Sequence, residues 1–175
     1  MTADLDQQII TPAMRACIGS TTAAVPLPDP ISSSDVRRFV DVIGETNPIY
    51  RDEAYARRHG YKGCVVPPLF VVIMFRSIQD PAGKVARFGI DWPGFTLPPP
   101  YTNTRNAGQE YTWLRPAYVG DRLTVQIRLT NMYVRRGRAG FPVLYLVSEY
   151  EIRNQDGDLV VKQINTDAKL PAKAS

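Results

Sequence analysis

Glu45-Thr46-Asn47-Pro48-Ile49-Tyr50 puts a carboxylate, a carboxamide and a phenol on one short segment. A carboxylate and a second proton-handling group held close together are the minimum for general acid–base work, such as adding water to a polarised double bond or removing it. The base in such a pair needs a pKa near the working pH. A free phenol titrates near 10, so only about one molecule in a thousand is ionised at neutral pH, and Tyr50 is a poor base unless strongly perturbed. The plainer reading gives Glu45 a solvated helix-end position and Tyr50 a packing role, with Asn47 holding the loop through side-chain to backbone hydrogen bonds.

Other reactive groups are sparse. His59 is the one histidine, so any Ser-His-Asp triad or histidine-rich metal site must use it, and its place before Gly60 reads as a helix terminus. Cys17 and Cys64 form no CxxC pair, which argues against a zinc site, a redox motif and a disulfide framework, and no metal is expected. Cys64 stands just before an apolar stretch, as a small buried residue or a tunnel-wall residue. Arg135-Arg136-Gly137-Arg138 is either a solvated hairpin tip or a docking point for phosphates or an acidic protein. No aromatic RNA-binding motif accompanies it, so nucleic acid is not expected.

The elements that must position these groups follow from periodicity and punctuation. Leu5 to Ile18 is weakly helical, and Val25-Pro26-Leu27-Pro28-Asp29-Pro30 imposes an extended connector. Residues 1–30 are therefore expected to be an extension and connector, and 31–175 the domain proper. Ser32 to Asp35 supplies N-caps for a helix with Val36, Phe39, Val40 and Ile43 on one face, ending at Gly44. Arg51 to Arg58 is a second helix, and Tyr61 to Val66 a strand or extended entry. After Pro67-Pro68, Leu69 to Phe75 is apolar on all sides, as a helix wrapped by a sheet would be, with proline tolerated in its first turn. The Pro- and Gly-rich run Asp80 to Asn106 is a candidate lid. Gln109 to Arg115, Arg122 to Tyr133, Val143 to Arg153 and Leu159 to Ala168 read as an antiparallel meander. Helices first and strands second imply an α+β fold.

Bulk properties narrow the class further. The chain has 175 residues, 44% hydrophobic and 22% charged, which suits one globular domain with a substantial core. Its 21 basic and 17 acidic residues leave a formal charge of +4, too small an excess to announce a nucleic-acid or membrane partner. The apolar run Cys64 to Phe75 is interrupted by prolines and too short to span a bilayer. With acidic residues near the start and no signal-like apolar segment, a cytoplasmic location is expected.

The stretch Ile43-Gly44-Glu45-Thr46-Asn47-Pro48-Ile49-Tyr50 resembles the hydratase-2 signature of the MaoC-like hydratase/dehydratase superfamily, Gly-Asp-x-Asn-Pro followed one residue later by histidine. The likeness continues through Asp52 to Ala56, Gly60-Tyr61, the apolar helix, Gly108 to Tyr111, Arg115-Pro116, Val119 to Asp121 and Asn154 to Gly157. In detail it resembles the FAS1-like, N-terminal dehydratase type, which includes non-catalytic subunits of mycolic-acid 3-hydroxyacyl dehydratases. The resemblance implies a single hot-dog fold, an antiparallel sheet wrapped around a central apolar helix, preceded by an N-terminal helical extension. Active relatives use the aspartate and histidine to add water to enoyl thioesters or to remove it, with a backbone N–H at the central helix start gripping the thioester oxygen. Here Glu45 stands at the acid position and Tyr50 at the histidine position. The donor position falls on Pro68, which has no N–H.

The resemblance therefore implies a supporting, non-catalytic subunit that binds the acyl chain of an acyl-CoA or acyl-carrier-protein thioester. Its expected partner is a catalytic hot-dog chain, in a heterodimer or heterotetramer, with a homodimer possible alone. Asn47, Cys64, Pro67, Pro68, Phe70, Arg135, Arg136 and Arg138 are the expected substrate-side residues, and no cofactor is expected. Two alternatives remain: a self-sufficient homodimeric enoyl-CoA hydratase using Glu45 and Tyr50, and a non-enzymatic acyl-thioester-binding or structural protein.

Overall fold

The structure, a computed structural model, describes residues 2–75, 97–138 and 140–171. Two short helices, α1 (Thr2–Ile9) and α2 (Pro12–Ala16), precede strand β1 (Val25–Pro26) and helix α3 (Ser33–Val42). A 3₁₀ turn at Pro48–Tyr50, helix α4 (Glu53–Arg58) and helix α5 (Pro68–Met74) follow. Strands β2 (Tyr101–Trp113), β3 (Thr124–Arg136), β4 (Pro142–Arg153) and β5 (Leu159–Pro171) complete an antiparallel sheet in the order β1-β3-β4-β5-β2. This is the α+β arrangement expected, and its helix starts are capped as the sequence directs. Ser32 Oγ accepts from Asp35 N–H and Asp52 Oδ1 from Tyr55 N–H, each satisfying an otherwise orphaned amide.

The weakly helical stretch Leu5 to Ile18 is divided into two helices, because Pro12 has no N–H to continue the first and Thr11 caps the second through Met14 N–H. Two features differ from expectation. The candidate lid over 80–106 lies outside the described residues up to Thr96, while Tyr101 to Asn106 belongs to β2, paired with Asp167 to Pro171. The apolar helix α5 is not enclosed all round: Val71 and Val72 are buried, but Leu69 and Ile73 are exposed.

The sheet's inner face carries two apolar clusters. Beneath α5, Val71, Val72 and Phe75 pack with Val125, Tyr150, Ile152 and Val161, and Val36 and Val40 of α3 close the same core. At the other end Ile10, between the N-terminal helices, and Met14 of α2 pack on Leu129, Met132, Val134, Leu144 and Leu146. The N-terminal segment also sheathes the outer edge of β3. Gly19 and Thr22 donate to Leu129 and Ile127 carbonyls, Leu129 N–H donates to Ser20, and Asp6 Oδ1 accepts from Val134 N–H. Among the described residues β2 has a strand neighbour, β5, on one side only.

Met14 is fully buried, so Met14→Ala is expected to lower the unfolding free energy by about 2–5 kcal/mol. Denaturant titration checks this, and a change near zero would mean that the N-terminal helices do not share the core.

Candidate acyl-binding site

Tyr50 is placed by a chain of local constraints. Gly44, with φ +69°, ends α3, and Asn47 Oδ1 then accepts from Ile49 N–H to start the 3₁₀ turn. Glu45 Oε1 accepts from Asn47 N–H at 2.8 Å, so its carboxylate is engaged in shaping its own loop. Asn47 is likewise a loop-holding residue in this geometry. Tyr50 is half-buried and lines a cavity of about 330 Å³ with Tyr61, Val65, Pro68, Val71, Trp113 and Leu114. Burial raises the Tyr50 phenol above its ordinary value of 10, and the charge of Glu45 and then Tyr61 raise it further. All three effects oppose the phenolate.

Pro68 opens this same cavity as the first residue of α5. Pro67 precedes it as the N-cap residue and offers no side-chain cap, so the helix starts on two consecutive imino acids. Neither can donate a backbone hydrogen bond. The structure thus brings Tyr50 and Pro68 together, with Glu45 beside them but turned to its loop.

Phe70 lies on a different surface. It stacks at a tilt on Phe39, with ring centroids 4.9 Å apart, and both line a larger cleft of about 880 Å³ between α3, α5 and the connector at 25–30. Its walls are largely apolar, with Val25, Leu27, Ile73 and Met74 inside and Asp35 and Arg38 among the polar residues. Cys64 lines neither cavity, and burial together with Glu53 and Asp52 raises its thiol above the ordinary value. Arg135, Arg136 and Arg138 sit at the far end of the sheet from Tyr50, roughly 30 Å along β3 from the Val125 level. There the Arg135 guanidinium covers the Tyr133 ring and Arg136 donates to the Gly140 carbonyl. His59 ends α4, stacked on Tyr55 with Nδ1 2.8 Å from the Tyr55 carbonyl oxygen.

A second polar group escaped the sequence reading. Tyr150, Gln163, Asn165, Asp167 and Lys169 are each at most 4% exposed on the sheet's inner face. Asn165 Oδ1 accepts from Asn106 Nδ2 and Gln109 Nε2 of β2, and Lys169 Nζ donates to Thr104 Oγ1. Burial raises the Asp167 carboxyl, opposed by the charge of Lys169 and by Asn165. Burial and then Asp167 raise the Tyr150 phenol, which stays neutral. Among the described residues Gln163 Nε2 has no hydrogen-bond partner. The signal that could have exposed this group is the polar alternation along β5.

Comparison with known proteins adds the context for these cavities. The FAS1-like dehydratase domain region matches residues 16–163. A UPF0336 protein of Streptomyces avermitilis is 29% identical over 153 residues, covering 85% of this chain and 87% of that protein. The 3-oxo-4,17-pregnadiene-20-carboxyl-CoA hydratase alpha subunit of Mycobacterium tuberculosis is 33% identical over 66 residues, 34% of this chain and 21% of that subunit. Among solved structures, the ChsH1-ChsH2 complex from Mycobacterium tuberculosis contains a chain that superposes with a TM-score of 0.71 at 20% identity. The match covers 89% of this chain and 92% of that one, a likeness that establishes the hot-dog fold alone. Among the described residues no helix is long and apolar enough to cross a membrane.

Because its folded value is raised, Asp167 binds its proton more tightly in the folded state than in the unfolded chain, where the ordinary value is 3.8. Its contribution to stability is therefore full below that value, falls as pH rises through the folded value, and is level above. Asp167→Asn should remove this slope. Unfolding free energies of both proteins across the acidic range check it, and parallel curves would show that the carboxyl is unperturbed.

Proposed function

The chain belongs to the FAS1-like dehydratase-region family of hot-dog hydratases and dehydratases, and on that premise we propose that it is the supporting, acyl-binding subunit of an enoyl-thioester hydratase or 3-hydroxyacyl-thioester dehydratase. The observation that carries this reading is the cavity in which Tyr50 meets Pro68. Water addition to an enoyl thioester needs a proton acceptor near neutral pH and a donor at the thioester oxygen. A phenol held neutral supplies no acceptor, and an imino acid supplies no donor. Glu45, one methylene longer than aspartate, spends a carboxylate oxygen on the Asn47 amide. The catalytic aspartate, histidine and N–H donor then belong to a second hot-dog chain.

Two further observations favour that division. The open cleft beside Phe70 has the size and apolar lining of a small-molecule site, and it suits a bulky acyl group. Among the described residues β2 has no strand neighbour on its outer side, which supports pairing with another sheet there, and Leu69, Trp113 and Leu114 are exposed beside the Tyr50 cavity at that end. The relative named as a CoA hydratase alpha subunit, and the neighbour solved as a ChsH1-ChsH2 complex, accord with a two-chain enzyme. The substrate is proposed to be an acyl-CoA or acyl-carrier thioester. Arg135, Arg136 and Arg138 would meet its carrier portion and not its acyl group.

The test is co-purification with the partner from the native host, followed by an enoyl-CoA hydration assay. The chain alone is expected to be inactive and the complex active. Glu45→Gln and Tyr50→Phe should each leave kcat of the complex within about twofold, since neither group takes part in the chemistry. A fall on the order of 10²–10⁴ in either variant would instead place general acid–base catalysis on this chain.

A further inference from the structure

Charge is unevenly distributed over this sheet. Arg51, Arg57, Arg115, Arg128 and Arg153 each meet a carboxylate. Among the described residues Arg105, Arg135 and Arg138 form no ion pair, and all three are exposed at the end of the sheet that carries the β3–β4 hairpin. The Arg105 guanidinium donates only to the neighbouring Thr104 carbonyl. Carboxylates towards that end are otherwise engaged. Asp6 accepts from the Val134 amide at the β3 edge, and Asp167 is buried on the inner face. Glu149 and Glu110 stand further along their strands, in the row where Arg128 and Lys162 hold Glu149. The result is an exposed basic end with its charge unneutralised by this chain.

The strand register makes this end one surface. On the outer face Tyr133 stands opposite Tyr145, Tyr145 opposite Ala168 and Ala168 opposite Arg105, a row that crosses four strands and about 14 Å at the usual strand spacing. The Tyr133 and Tyr145 rings are stacked with centroids 4.9 Å apart, and the Arg135 guanidinium covers the Tyr133 ring at 5.3 Å. Phe141, 38% exposed, and Arg138 carry the surface over the hairpin tip. Arginine and aromatic side chains are the types that protein interfaces concentrate. These residues line neither the Tyr50 cavity nor the cleft beside Phe70. A free nucleotide on such an open face would keep much of its area in water, whereas small ligands are held in concave sites that bury most of them. A protein can cover the whole face. Because it is a face and not an edge, it stays accessible when β2 pairs with a second sheet.

We infer that the outer face around Arg105, Arg135, Arg138 and the Tyr133–Tyr145 stack docks an acidic acyl carrier protein, and that it is not a site for the nucleotide of CoA. This inference rests on the acyl-thioester reading above and deepens it by naming the carrier. Carboxylates of the carrier pair with the three arginines, and its apolar side chains meet the two tyrosines and Phe141. The cleft beside Phe70 stands at the Val125 level, roughly 30 Å along the sheet, so the carrier's flexible arm and the acyl chain together cover the separation. Docking and acyl binding are therefore separable by substitution.

Fluorescence anisotropy of the full chain with the labelled acyl carrier protein of the native host, in its apo form without the arm and in its decanoyl form, tests it beside calorimetry with decanoyl-CoA. The apo carrier is expected to bind, and to bind more weakly as salt is raised. Arg135→Glu combined with Arg138→Glu should weaken that binding by about tenfold or more and leave decanoyl-CoA affinity within about twofold. Arg37→Glu combined with Arg58→Glu, the same change of net charge at exposed positions away from this face, should leave carrier binding within about twofold. Three outcomes would overturn the surface while leaving the acyl-thioester reading intact: no binding of the apo carrier, equal losses in the two double variants, or a loss of decanoyl-CoA affinity in the Arg135/Arg138 variant. Binding of neither decanoyl-CoA nor the decanoyl carrier would remove the acyl-thioester reading and this inference with it. Should the variant fail to fold, amide resonances of ¹⁵N-labelled wild-type protein titrated with apo carrier decide: shifts at Arg105, Tyr133 and Tyr145 support the surface, and shifts confined elsewhere reject it.

Discussion

An open antiparallel sheet leaves two rows of unpaired backbone groups, and the way a protein disposes of them decides what the sheet can join. Here the two edges are treated in opposite ways. Along β3 the chain from Asp6 to Pro26 supplies partners to the amides and carbonyls, partly as strand β1, partly through Gly19, Ser20 and Thr22, and at Val134 through a carboxylate. Along β2 nothing comparable exists among the described residues. Association by strand pairing is thereby confined to one direction, and the Tyr50 cavity, the exposed Trp113 and Leu114, and the amide-bearing Asn106 and Gln109 all lie along that side.

Much of the architecture was legible before any coordinates. Ser32, Asp52 and the paired prolines at 67 and 68 mark helix starts by mechanisms that act within three or four residues, and the structure places α3, α4 and α5 where they point. The four long strands were found for the same local reason, with errors at their ends. β2 begins eight residues before Gln109, because pairing with β5 orders a segment whose prolines and asparagines suggest a loop. The weakly helical stretch Leu5 to Ile18 divides at Pro12, whose effect on the backbone outweighs the apolar spacing around it.

The site was legible to a lesser degree. Tyr50 and Pro68 stand together as the motif implies, but Phe70 faces another cleft and Cys64 faces neither. The three arginines are separated from Tyr50 by most of the sheet's length. Such placements depend on register and on which face of a short helix is turned inward, and neither is fixed by nearby residues. The inverted face of β5 is the clearest case. Hydropathy alone would bury Ile164 and expose Asn165, and the register with β2 and β4, in which Val161 stands opposite Ile152 and Trp113, sets the strand the other way.

The N-terminal helices carry a practical lesson about where this domain should be cut. The region shared with the family starts at residue 16, yet Ile10 and Met14 form the cover over Leu129, Met132, Val134, Leu144 and Leu146. A chain trimmed to the shared region would bare those five side chains and free the Val134 amide at the same time. A broad greasy surface next to a newly available hydrogen-bonding edge is the combination that drives sheets to stack and precipitate, so the truncated protein should be lost to aggregation long before its capacity to bind anything could be measured.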